Sequence, residues 1–548
     1  MTPKASICRI VAAAGVLIAL ALALSRPDPM LEPDSWAYYY AAENFSHGRL
    51  VVNDELHSQQ VAEASRKGGK LGQYVRLDDG NWALEKAPGD ALFLAPFHRL
   101  GIPWAASLIL MAAMATVTYL FLARLRDELT ACLGVLLILF TPMSLIMLNR
   151  IYVTMFSTSA FLVIGAGLYM YEILRRKGDS RPWVLFAAGL FMSWSVVCRY
   201  TNALVAAPFV LHFAITRCRI FVAGNRRRAT FQAIAFLLGM AVSGAALIGY
   251  NSAVFGSPWD YGYQYTRFGI RFAFDRLGEL TPSGGSAAWA VIEGNLRNMP
   301  RALLLGFPLV VVGIPGMAWM AWKKRPFVKD IAWTEVPRPV AWLLIGWFVA
   351  VYGLYFLYEW TSTPQMRNMH YMVLDRFYLP GLFPLAVIAA LVLARMPKKL
   401  ALGGAAALVI LGAGLFDTWA NSDNKMGGPQ QRPGINGPSG PVPSGQPPPG
   451  QLPSLQGPQP QLSPQSIDQV RQEVKSSPTT AVNVYLRLDV LRIWWSRLAA
   501  EDNRVQQAVP VSRFEAIAES LRRGDLDKAC RQVDEAYRVL EALVTPGK

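Results

Sequence analysis

The chain reads as an all-α polytopic membrane protein of about eleven spans, with a long outer first loop and a small soluble helical module behind a disordered Pro-rich linker. Three observations predict this. Of the 548 residues, 53% are hydrophobic and only 16% charged, where a soluble domain carries about 25% charged residues; the mean hydropathy is +0.26. Apolar stretches of about 20 residues, enough to cross a bilayer, recur through the first three quarters of the chain. Basic residues crowd every second loop between them.

The spans are expected at 8–25, 103–123, 129–148, 154–174, 182–198, 201–216, 231–254, 302–322, 339–358, 378–394 and 399–418. The first follows Lys4 and Arg9 and ends near an Ala-Leu-Ala stretch, Ala21 to Ala23, that imitates a cleavage site. It is read as an uncleaved anchor, because an odd number of spans fits the charges. With the N-terminus inside, successive inner loops hold Arg124 and Arg126, then Arg175, Arg176, Lys177 and Arg181, then Arg217, Arg219, Arg226, Arg227 and Arg228. Lys323, Lys324, Arg325 and Lys329 follow, and finally Arg395, Lys398 and Lys399. These are topology signals that account for most of the formal +16, so nucleic acid is not an expected partner. The expected location is the plasma (inner) membrane, N-terminus cytoplasmic, C-terminal module on the outer, periplasmic side.

On that topology the outer face receives 26–102, 255–301 and 359–377, where acids and aromatics collect, while the inner loops are short and merely basic. The membrane domain is placed at 1–420 and the linker at 421–465. The linker is so rich in Pro, Gly and Gln that it cannot bury a core. A soluble module is expected at 466–548. Its clearest element is a helical hairpin in which Gly524 closes one helix, Asp525 caps the next, and Leu526, Ala529, Val533, Ala536 and Leu540 form one apolar stripe. The five cysteines (Cys8, Cys132, Cys198, Cys218 and Cys530) and five histidines show no metal-ligand spacing or disulfide framework.

The first outer loop opens with PDSWAYYYAAENFSHGRL and closes with GNWALEKAPGDALFLAPFHRLG. By itself, Asp34 suits the first turn of a short interfacial helix, facing unpaired N–H groups. Trp36, Tyr38, Tyr39 and Tyr40 would then lie at headgroup depth. Lys86, beside Glu85, is read either as an interfacial side chain that snorkels or as a cation for a phosphate. Together, a carboxylate and cations at a membrane surface suit transfer from a lipid phosphate: the carboxylate takes a proton and the cations stabilise the leaving group. Arg199, at the outer end of a span in VVCRYTN, is a further candidate from topology alone, or an interfacial snorkelling arginine.

The outer-loop acid after the first helix, the Lys-X-Pro segment that ends that loop, YNSAVFGSPWDYGY after a middle helix and RFYLPGLFPLAVIAAL opening a late one resemble the membrane glycosyltransferases of the C-type fold, the group containing protein O-mannosyltransferases and lipid A aminoarabinose transferase. The resemblance covers about residues 1–420. It implies a polyprenyl-phosphate-linked sugar donor, an active site at the outer membrane face and inversion at the anomeric carbon. It also implies Asp34 as catalytic base, Glu85 and Lys86 near the donor phosphate, and Arg376 as a phosphate contact. The chain departs from the pattern at Thr154, which stands where the family often has a second acid. With fewer oxygen ligands for a hard divalent ion, a metal-independent mechanism is expected, with no cofactor. The implied partners are the lipid-linked sugar, membrane lipid, and a protein, lipid or glycan acceptor. The alternatives are a transporter or flippase and a glycan ligase or polymerase. A transporter usually shows internal repeats and ionisable residues at the midplane, and His212 is the only such residue well inside a span.

Overall fold

An apolar run that meets no water must satisfy its backbone groups internally, and the helix does so within one segment. The computed structural model follows that rule almost throughout. It describes residues 3–25, 33–67, 69, 71–175, 180–266, 271–279, 285–323, 336–362 and 376–426, then 491, 509–510, 513–514, 516–517, 520 and 525–544. The chain divides into two compact units, Met1–Gly437 and Pro438–Lys548.

In the first unit the helices are α1 (Pro3–Leu24), α2 (Pro33–Ser46), α3 (Asp54–Arg66), α4 (Gly89–Arg99), α5 (Pro103–Leu125), α6 (Glu128–Leu139) and α7 (Pro142–Asn149). They continue with α8 (Met155–Ile173), α9 (Pro182–Cys198), α10 (Ala203–Val222), α11 (Arg226–Phe255), α12 (Ala287–Gly306), α13 (Val310–Lys323) and α14 (Arg338–Phe356). The late helices Leu382–Leu393 and Lys398–Met426 follow. Among the described residues eight helices are long and apolar enough to cross a membrane, or ten if each of two bent pairs is one span. The expected count of eleven is therefore not reached, because α9 is too short to be counted with them.

Two expected spans are not single rods. The one at 129–148 is α6 and α7, meeting at 58°; the one at 302–322 is mostly α13, with α12 running into it at 110°. Both breaks stand at prolines, Pro142 and Pro308. Proline lacks the N–H and crowds the preceding turn, so a helix stops just before it. The helix Leu382–Leu393 and α8 are buried nearly all round, while Ser6–Leu24 of α1, α11 and Lys398–Trp419 are only 22% buried, as helices in contact with lipid would be.

Helices α9 and α11 approach closely through two glycines. A Cβ at Gly189 would stand 2.3 Å from the Phe236 carbonyl oxygen, and one at Gly239 would stand 2.1 Å from that of Phe186. Small residues of this kind let membrane helices gain contact where lipid supplies no hydrophobic drive.

The long segment between α1 and α5 folds as a small domain with its own core. Trp36, Tyr38 and Tyr40 of α2 are almost wholly buried there with Leu71, Tyr74, Leu84, Leu94 and Tyr152. These aromatics fill a protein interior, and of the four only Tyr39 is partly exposed. An antiparallel three-stranded sheet, ordered β1-β3-β2, crosses the loop, with β1 at Val51–Val52, β2 at Tyr74–Arg76 and β3 at Trp82–Leu84. Strands β2 and β3 form a hairpin in the register Tyr74↔Leu84 and Arg76↔Trp82. Its turn places Gly80 at φ +86°, where a side chain would be strained. The Glu85 N–H donates to the Gln73 carbonyl at 2.9 Å, so the ladder runs one pair past the strands and fixes the Glu85–Lys86 segment.

Helix α4 follows at once, and Asp90 in its first turn is fully buried. Ser157 Oγ donates to Asp90 Oδ1, while Oδ2 is buried without a partner. Burial pushes this carboxyl up to about 7, although the Ser157 bond opposes the shift.

In the second unit, the helix Leu526–Val544 starts at Asp525, whose Oδ1 accepts from the Lys528 N–H at 3.1 Å. Ala529, Val533 and Ala536 are fully buried. The expected linker from residue 427 onward, and the Gly524 helix end, lie outside the described residues.

Gly239→Leu is expected to destabilise the detergent-solubilised protein by roughly 1–3 kcal/mol through overpacking. Gly244→Ala, on the same helix with nothing within 4 Å of the added carbon, should be tolerated. Thermal unfolding of both variants checks this. Asp90 gives a pH-dependent expectation. Its folded pKa lies above its ordinary 3.8, so between 3.8 and about 7 the folded chain keeps a proton that the unfolded chain has lost, and stability falls as pH rises through that window. Asp90→Asn cannot ionise. It should gain on wild type by a few kcal/mol between about pH 4 and pH 8, at about 1.4 kcal/mol per pKa unit, read from melting midpoints across pH.

Candidate functional site

Asp34 stands in the first turn of α2, one residue after Pro33, where proline's fixed φ suits a helix start. From there its carboxylate meets Arg376, whose Nη2 donates to Asp34 Oδ2 at 2.9 Å with both side chains largely sheltered. Arg376 opens the 3₁₀ turn Arg376–Gly381. That turn is fixed from α14: Trp347 Nε1 donates to the Pro380 carbonyl at 2.7 Å, and a Cβ at Gly381 would stand 2.4 Å from the Tyr352 ring. A late helix and the first loop are thereby joined at one ion pair.

Lys86 reaches the same place from the hairpin. Its Nζ lies 3.8 Å from Glu85 Oε1 and 5.0 Å from the centre of the Tyr263 ring. Tyr263 is held there because Gly262 rests on the hairpin backbone; a Cβ on Gly262 would lie 2.3 Å from the Glu85 carbonyl oxygen. Arg199 enters at the end of α9. Its Nε donates to Tyr355 Oη at 2.8 Å, and its guanidinium lies 4.9 Å from the Phe377 ring centre. The guanidinium of Arg376 faces the same ring at 5.2 Å.

The structure thus gathers all five side chains singled out in the sequence: Asp34, Glu85, Lys86, Arg199 and Arg376. Their charges interact. Burial raises the Asp34 carboxyl, but Arg376, Lys86, the Gln73 amide and Arg199 outweigh it and hold the group below its ordinary 3.8. Burial raises Glu85, with Lys86 opposing and Asp34 reinforcing that rise. Lys86 is opposed by its own burial, yet Tyr263, Asp34 and Glu85 together raise it. Three cations and two carboxylates leave these five groups with one positive charge in excess. Such a place can hold an anion while keeping one carboxylate ionised.

Several participants were not singled out beforehand. Gln73 reaches Asp34 from the hairpin, and Tyr263, Tyr355 and Phe377 form the walls against the cations. The Asp-Gly pair at 79–80 was the available signal for the hairpin, and the hairpin pairs Gln73 with Glu85. Thr154 is buried at the start of α8, and Ser157, three residues on, bonds Asp90. The acid in that neighbourhood therefore comes from α4 rather than from α8. Among the described residues no group of three or more His, Cys, Asp and Glu could hold a metal ion.

No family model and no curated protein matches the chain. Among solved structures it is similar to the apo oligosaccharyltransferase of Archaeoglobus fulgidus, with 13% identity and a TM-score of 0.48 over 75% of this chain. The match spans 56% of that protein, little more than half its length. It is also similar to ArnT from Cupriavidus metallidurans bound to undecaprenyl phosphate, with 13% identity and a TM-score of 0.44, over 98% of this chain and 76% of that one.

Proposed function

We propose that the protein is an inverting glycosyltransferase that moves a sugar from a polyprenyl-phosphate donor to an acceptor hydroxyl at the outer face of the plasma (inner) membrane. The observation that carries this reading is the convergence on Asp34 of Arg376, Lys86 and Arg199, from three segments remote in sequence. A phosphodiester donor brings one negative charge, which matches the single positive excess of the site. The motif resemblance points the same way.

The chemistry is one displacement. The acceptor oxygen attacks the anomeric carbon as Asp34 takes its proton, and the bond from that carbon to the phosphate oxygen breaks. Polyprenyl phosphate leaves with an additional negative charge, which Lys86, Arg376 and Arg199 stabilise. A phosphate needs no proton in order to leave, so one carboxylate suffices where a glycosidase uses two. In the resting site Arg376 weakens Asp34 as a base. An arriving phosphate shares the arginine's charge and restores basicity when the substrate is in place. The three cations supply the electrostatic role that a divalent ion would otherwise fill, so no metal is included in this proposal.

The test is to incubate the purified protein with undecaprenyl phosphate and its mannosyl, glucosyl and arabinosyl derivatives, plus crude acceptor, and to measure released polyprenyl phosphate. Asp34→Asn should lower release by about 10²–10⁴ while still binding the donor. Equal release from wild type and variant removes Asp34 from the base role, and an intact donor appearing on the opposite side of a vesicle makes the protein a flippase. The pH dependence has a definite sign. A base whose pKa is depressed stays ionised to lower pH, so the acid limb of the wild-type kcat/KM, which reports the free site, should fall below pH 3.8. Arg376→Gln removes the nearest opposing charge, and its acid limb should move upward. A limb that stays in place in rate profiles of the two proteins contradicts the pairing.

A further inference from the structure

Gln73 combines features that local folding does not explain. Among the described residues it alone, apart from glycines, has a positive φ, at +61°. Such a conformation strains any residue with a Cβ and collects at functional sites. Its neighbour Gly72 could take that φ freely and does not. The main chain at Gln73 is committed to the hairpin, where its carbonyl accepts from Glu85 at 2.9 Å. The side chain faces Asp34 and helps to hold its carboxyl down. An ionised carboxylate only accepts, so the amide must turn its NH₂ toward Asp34 and its Oε1 away. That Oε1 is buried and has no partner. A buried carbonyl oxygen without a donor is costly, and here it stands within a cluster of charged groups.

We propose that Gln73 builds the sugar subsite of the donor: its NH₂ positions Asp34, and its Oε1 accepts a hydrogen bond from a hydroxyl of the bound sugar. This rests on the polyprenyl-phosphate reading above. The assignment follows from which part of the donor can give a hydrogen. The hydrocarbon tail has no polar hydrogen, and an ionised phosphodiester has none either. Only the sugar carries O–H groups. Lys86, the cation for the phosphate, directly follows the residue paired with Gln73 across the ladder, so a phosphate held by Lys86 leaves its attached sugar beside Gln73. The acceptor's reacting hydroxyl is already assigned to Asp34. The strained backbone is then the geometry that turns one amide toward both the base and the sugar.

The test compares affinity for bare undecaprenyl phosphate with affinity for its mannosyl, glucosyl and arabinosyl derivatives, alongside thermal midpoints. Gln73→Gly relieves the strained φ and deletes the amide. It should keep or raise the midpoint and bind the bare lipid as wild type does, yet lose about tenfold in affinity for the best sugar-bearing lipid, the loss of one hydrogen bond. Gln73→Asn, which tolerates a positive φ but is one methylene shorter, should show the same split. Gln73→Glu sets a second carboxylate against Asp34, and the acid limb of its rate profile should move upward. Loss of affinity for bare and sugar-bearing lipids alike, with a lower midpoint, makes Gln73 structural and overturns the proposal. So does full retention of sugar affinity in Gln73→Gly, or a wild type that binds no sugar-bearing lipid better than the bare one, which leaves the phosphate site standing. A wild type that fails to bind even bare undecaprenyl phosphate overturns the polyprenyl-phosphate reading and this inference with it.

Discussion

A carboxylate sheltered from water must be compensated, and the pairing of Asp34 with Arg376 is the constraint around which this fold closes. The two residues are 342 positions apart. One rides on the first helix of the long loop after α1, the other on the turn that opens a late helix. Desolvation alone would drive Asp34 toward its neutral form, and the arginine with Lys86 and Arg199 reverses that. Removing one partner of such a pair leaves the other charge uncompensated, which costs far more than the pair contributes. The elements that deliver the partners are accordingly well fixed. Trp347 and Gly381 hold the turn before the late helix, Gly262 seats the middle loop on the hairpin, and Tyr355 with Phe377 walls in Arg199.

The hairpin is small but decides the geometry. Strands β2 and β3 are only three residues each, yet their extra pair joins Gln73 to Glu85 and so sets Lys86 beside Tyr263. Loop residues placed by a rigid scaffold are the usual carriers of chemistry, and here the scaffold is a loop domain with its own aromatic core. Trp36, Tyr38 and Tyr40 fill that core, which keeps α2, and Asp34 at its start, from drifting relative to the hairpin.

Much of this was legible in the residues, for reasons that differ from element to element. Long apolar runs announce spans because a bilayer admits few alternatives. Asp34, Lys86 and Arg376 stood out through motif order and Arg199 through its position at a span end. The breaks at Pro142 and Pro308 were also written in the chain, but an apolar run continues through both, and hydropathy does not register a lost N–H. The aromatics after Asp34 carried an ambiguous signal. Trp and Tyr suit a headgroup layer and a domain core equally well, and only tertiary packing chooses between them. Gln73 was the least legible, since a glutamine becomes informative only when its φ and its unpartnered oxygen are seen together.

On the proposed reading, charge explains why a base is paired with an arginine at all. An unpaired Asp34 would be a stronger base, but its burial would favour the protonated form, which removes no proton. A fully paired one stays ionised but holds its lone pairs on the guanidinium. A phosphate that competes for the same guanidinium resolves the conflict, because the carboxylate remains ionised through the remaining cations and the Gln73 amide. Basicity then rises only when a donor is present, and the developing charge on the leaving phosphate finds the cations already in place. Preorganised charge of this kind needs no rearrangement at the moment of reaction, which is where electrostatic stabilisation is most effective. The same argument gives the Glu85–Lys86 neighbourhood its form. A lysine alone in that sheltered place would tend to lose its proton by desolvation, and Glu85, Asp34 and the Tyr263 ring keep it charged for the phosphate.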